Sequence, residues 1–105
     1  MANQLPQFEI TDDLGLTIQY DGTVGTSAVP IPSNADKTIS EVIIQNDPAN
    51  TKGAEVYVSF DGGTKFWTIL WNEAFPWEPR NALKQIYIKA KDAATKYQII
   101  INYEP

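Results

Sequence analysis

The chain has no cysteine and no histidine. The first absence removes disulfides, thiolate nucleophiles and cysteine-based zinc sites. The second removes imidazole bases, imidazole metal ligands and histidine pH switches. Positive charge is scarce as well: eight lysines and arginines stand against thirteen acids, for a formal charge of −5. The deficit lies in residues 1–52, which carry seven acids and two lysines, whereas residues 53–105 balance six acids with six bases. Binding a nucleic-acid backbone or an acidic membrane surface draws on a basic stripe that releases counterions, and none is present, so neither is an expected partner. No stretch approaches the ~20 apolar residues of a membrane-spanning helix. MANQLPQFEI lacks a basic region followed by an apolar core, so it does not read as a signal peptide. Helical periodicity long enough to cross over a parallel sheet is missing too.

What is present is strand sequence. At 105 residues, 43% of them hydrophobic, the chain fits one domain with one core. The stretch EVYVSFDGGTKFWTILW, residues 55–71, organises the rest. Val56, Val58 and Phe60 alternate with Tyr57, Ser59 and Asp61; Asp61-Gly62-Gly63-Thr64 can turn; Phe66 to Trp71 resumes an extended run. Run, glycine-rich turn and second run predict a β-hairpin. Further strands are expected around Phe8 and Ile10, and around Leu14, Leu16 and Ile18 up to a turn at Asp21-Gly22. The segment holding Pro30 and Pro32 reads as a long loop or broken edge strand. KTISEVIIQN reads as a central strand. QIYIKA places Ile86 and Ile88 on one side, and KYQIIINY, with three successive isoleucines, implies burial on both faces or a place in mid-sheet. Pro76 and Pro79 forbid a central strand in NEAFPWEPRNALK and leave it extended or turning, with room for a helical turn at Arg80 to Leu83. The sum is an all-β, single antiparallel β-sandwich, jelly-roll-like, of seven or eight strands over residues 8–105, preceded by a flexible arm at 1–7. A small closed barrel is the nearest rival.

The surplus of rings is the most informative feature for function. Trp67, Trp71 and Trp77 fall within eleven positions, with Phe75 among them. The plainest reading has one aromatic row filling the sandwich and the other covered by a loop. A sharper one makes the surplus row a contact surface for another protein or another copy, since tryptophan dominates interface hot spots. A third is a sugar-stacking platform. The residues assigned to partner binding are Trp71, Phe75, Trp77 and Arg80, the single arginine, whose fork suits a partner's carboxylate. Asp61, Glu73 and Glu78 lie near the rings, but glycosidic acid–base work needs two carboxyls facing each other across a cleft, for which a domain this small has little material. Calcium at Asp12, Asp13 and Asp21, or at Asp61, lacks an EF-hand spacing, and turn geometry explains Asp61-Gly62. Gly62 and Gly63 are turn formers and not a phosphate cradle. No catalytic residue, cofactor or metal is expected.

Residues 39–104, with VYVSFDGGTKFWTI, then FPWEP, then LKQIYIKA and YQIIINYE, resemble small structural proteins of tailed-bacteriophage virions that decorate or cement capsids or sit as tail adaptors. The matched positions are turn and sheet-interior residues, so the resemblance transfers no binding site. It implies a non-enzymatic virion protein, made in the host cytoplasm, whose partner is the major capsid protein or another virion component. A homo-oligomer is expected with it, a trimer being favoured by the local threefold positions of a capsid. The alternatives are a tail or baseplate adaptor and a carbohydrate-binding module.

Overall fold

The computed structural model describes residues 7–12, 15–80 and 82–105, with side chains from Leu16 onward. The chain is an all-β sandwich. Nine strands are formed among the described residues: β1 Gln7–Asp12, β2 Gly15–Val24, β3 Val29–Ile31, β4 Ile39–Asn46, β5 Glu55–Ser59, β6 Trp67–Leu70, β7 Ala74–Trp77, β8 Ile86–Ala90 and β9 Thr95–Tyr103. One sheet has the order β1-β2-β9-β4-β7 and the other β3-β8-β5-β6, all neighbours antiparallel. Setting β1 aside, the pairs β2 with β9, β4 with β7, β3 with β8 and β5 with β6 are nested one inside the next. That is the jelly-roll arrangement, a long hairpin rolled into two four-stranded sheets.

The core is built from β-branched residues because they suit a pleated face packed roughly 10 Å from another sheet. Val42, Ile44, Ile99 and Ile101 of one sheet meet Val56, Val58, Ile86 and Ile88 of the other, all fully buried. Each such side chain contributes about 1.5–3 kcal/mol by leaving water. Larger rings sit toward the margins of this aliphatic centre: Tyr20, Tyr97 and Tyr103 on the β2 and β9 side, and Phe60, Phe75 and Trp77 toward β6 and β7.

The eight strands of the roll meet the expectation of seven or eight, and β1 adds a ninth at the edge of one sheet; the proline-bearing FPW segment is itself the edge strand β7. Other sequence expectations need correcting. The turn expected at Asp21-Gly22 does not form: β2 runs on to Val24, since nine consecutive pairs with β9 override the local signal. The isoleucine run of β9 is in mid-sheet but buried on one face only, with Ile100 38% exposed beside its partner Ile43 at 37%. Gln7, assigned to the arm, pairs with Tyr20 in β1; the rest of that arm, residues 1–6, lies outside the described residues. Arg80, Ala82 and Leu83 form no helical turn.

Candidate functional site: an aromatic seam between two sheet edges

β6 and β7 are the edges of different sheets and lie on the same margin of the sandwich, joined by Trp71, Asn72 and Glu73. Asn72 takes a left-handed conformation at φ 65°, which asparagine tolerates better than most residues. The Glu73 N–H closes the turn on the Leu70 carbonyl at 2.9 Å. In register, Trp67 faces Val58 and Ile69 faces Val56, whereas Phe75 faces Ile44 and Trp77 faces Val42. Cross-strand partners share a face, so Trp67, Phe75 and Trp77 all point from the two edges toward the gap between the sheets. Phe60, just past β5, completes the group.

These four rings touch one another. Phe60 stacks on Trp77 with centroids 4.9 Å apart and planes 15° off parallel. Phe75 lies 6.1 Å from both Phe60 and Trp77, and Trp67 lies 6.3 Å from Phe75 and 6.5 Å from Trp77. The seam closes the margin of the core without being covered itself: Trp67 is 55% exposed, and Phe60, Phe75 and Trp77 are half-buried. Next to it runs a groove of ≈ 290 Å³ lined by Phe60, Trp77, Pro79, Arg80 and Leu83.

Of the four residues assigned to partner binding, Phe75, Trp77 and Arg80 come together here. Trp71 does not join them. It lies about 13 Å along the chain from Trp67 at the ~3.3 Å strand rise, its indole N–H donates to the Asn50 carbonyl at 2.8 Å, and Lys52 Nζ lies 5.8 Å from its ring centroid. Two contributors, Pro79 and Leu83, carry no signal in the sequence. Phe60 and Trp67 do: alternation from Val56 puts Phe60 on the inner face, and the hairpin register brings Trp67 opposite Val58. The other row of β6, Thr68 and Leu70, faces outward and is exposed. On that outer face Lys89 Nζ sits 4.1 Å from the Phe66 centroid and 6.0 Å from that of Tyr57, a cation–π arrangement.

The carboxylates near the rings serve the turns. Asp61 Oδ1 accepts from Ser59 Oγ at 2.7 Å and from the Thr64 and Lys65 N–H groups at 3.0 Å each. Those bonds, the Lys65 N–H foremost, hold its carboxyl below the usual carboxylate range. Proton donation by a general acid calls for the opposite shift. Gly62 and Gly63, at φ 82° and 92°, carry the same loop through the left-handed region. Glu73 Oε1 accepts the Leu70 N–H at 2.8 Å, and Glu78 is exposed. Of the calcium candidates, Asp21 accepts from Gln19 Nε2, while Asp13 and the Asp12 side chain lie outside what is described. Among the described residues no three His, Cys, Asp or Glu side chains group to hold a metal ion.

The seam thus offers aromatic contact area at the margin of the sandwich. A sugar platform needs flat ring faces open side by side, yet one face of Trp77 is covered by Phe60 and Trp67 is tilted 34° to Trp77. No known family model matches the chain, no curated protein is significantly similar to it, and no solved structure matches its fold significantly.

Proposed function

We propose that this protein is a non-enzymatic structural protein that docks through the Phe60–Trp67–Phe75–Trp77 seam onto another protein. In the setting that the sequence resemblance implies, it is a decoration or cement protein that binds and stabilises an assembled phage head, with the major capsid protein as its partner. The observation carrying this reading is the half-open seam. Four rings meet at the margin of the core, packed against it on one side and open on the other, leaving an indole more than half in water. Large rings that bury further area at low entropic cost are what interface hot spots are made of. The jelly roll agrees with a virion role without implying it, because folds host many functions.

The test is co-sedimentation with expanded phage shells and with free capsid subunits. The protein is expected to pellet with shells and not to bind free subunits, and Trp67→Ala is expected to abolish pelleting. Equal binding to both forms, or full binding by Trp67→Ala, refutes the proposal. Binding to tail structures in place of heads supports the adaptor alternative. Oligomeric state follows from sedimentation velocity, with a trimer expected to match a local threefold site.

A further inference from the structure

The chemistry of the partner segment follows from what the seam blocks and what it leaves open, and it rests on the docking reading above. Both edge strands beside the seam are interrupted as templates for strand addition. Pro76, paired with Ile43 in β4, has no N–H to offer along β7. On β6, the Leu70 N–H is already taken by Glu73 Oε1. A partner cannot extend either sheet here by a full ladder and is left with side-chain insertion.

The groove beside the rings is the place for it. Its ≈ 290 Å³ lies just under the roughly 300 Å³ at which pockets for whole small ligands begin, so it suits one or two side chains. Four of its walls, Phe60, Trp77, Pro79 and Leu83, are apolar, and the fifth is Arg80. No acid lines it. In a chain of net charge −5 whose single arginine stands at this spot, the groove joins an apolar wall to a fixed positive charge. A guanidinium fork matches a carboxylate in bidentate fashion.

We infer that the groove takes an extended segment of a partner protein carrying a bulky apolar side chain next to an aspartate or glutamate. The apolar group packs on Trp77 and Leu83, and the carboxylate pairs with Arg80. A neutral or basic segment lacks the second half of that match.

The experiment follows the Trp77 indole N–H by NMR in the intact protein, titrated with the peptide acetyl-Ala-Leu-Glu-Ala-amide and with its Gln and Lys counterparts. Weak binding of the Glu peptide is expected, with the Gln peptide roughly tenfold weaker, as one lost charge-assisted pair implies. The preference is expected to vanish in Arg80→Gln, whose fold is checked by circular dichroism. Equal response to Glu and Gln peptides, stronger response to the Lys peptide, or a preference that survives Arg80→Gln overturns the inference. A Glu preference in a protein that fails to pellet with shells refutes the shell reading and leaves the groove chemistry standing. Shell binding without any Glu preference does the reverse.

Discussion

The buried side-chain amide of Asn46 donates a 2.9 Å hydrogen bond to the Ile69 carbonyl, joining β4 of one sheet to β6 of the other. Its second N–H reaches the Ala54 carbonyl at 2.9 Å, and its Oδ1 accepts from Asn50 Nδ2. Asn50 in turn exchanges bonds with Lys96 at the start of β9. One asparagine thus ties together the end of the sandwich from which the β6–β7 turn departs.

Asn46→Leu keeps the size and removes the three side-chain bonds of Asn46 itself. With these three hydrogen bonds lost, at about 0.5–1.5 kcal/mol net each, a loss of about 3 kcal/mol is expected. Urea unfolding monitored by tryptophan fluorescence measures it; a loss below about 1 kcal/mol contradicts the role given to Asn46.

Trp67 and Trp71 should separate stability from docking. Trp67→Ala removes a largely exposed ring and is expected to cost no more than about 1 kcal/mol while abolishing partner binding. Trp71→Phe loses the bond to Asn50, expected to cost about 1 kcal/mol, and leaves binding intact. Chemical denaturation and pelleting assays on the two variants check both halves.

The Asp61 carboxyl titrates below an ordinary aspartate because the Lys65 N–H, the Ser59 hydroxyl and the Thr64 N–H favour its charged form. Its folded-state value is thus depressed, so its contribution is present above the unfolded value of about 4 and fades as pH falls through the folded one. The stability difference between the protein and Asp61→Asn is expected to shrink on acidification, and carboxyl NMR gives the midpoint directly.

Alkaline behaviour runs the other way. Burial, reinforced for Tyr103 by the 2.8 Å bond between its hydroxyl and that of Tyr20, raises the pKa values of Tyr97 and Tyr103. The native state holds these protons more tightly than the unfolded chain, so their contribution is complete below about pH 10 and is lost as pH rises beyond it. Absorbance titration of phenolate should show these two tyrosines ionising late, together with unfolding. Early, reversible ionisation of all five tyrosines in the native state contradicts this.

How much of this was legible in the sequence depends on the range of the interaction. The β5–β6 hairpin, the inner face of β8 and the place of β4 were readable because period-2 alternation and Asp61-Gly62-Gly63 are local signals. Asp21-Gly22 misled because its turn propensity is worth less than the pairing of Gly22 with Tyr97 and of its neighbours along β9. For β7 the prolines rule out a central strand and leave the segment extended or turning, and it is an edge, which tolerates proline, that the segment forms. Phe75, Trp77 and Arg80 were assigned to one site by proximity in the chain. The same proximity points to Trp71 as well, but Trp71 lies beyond the end of β6 and its indole is held by the Asn50 carbonyl. Leu83 and Pro79 reach the groove through tertiary packing that no local pattern encodes.

The nested strand order also bears on how the molecule comes to be folded. β9 lies between β2 and β4, so the first-made strands of that sheet wait for a segment that leaves the ribosome after all of them. Only the sequence-local pairs, β1 with β2 and β5 with β6, can zip up early. Closure of such distant pairs makes folding slow, and the unfinished chain spends that interval with isoleucine-rich edges uncovered, the condition in which strands of separate molecules find one another.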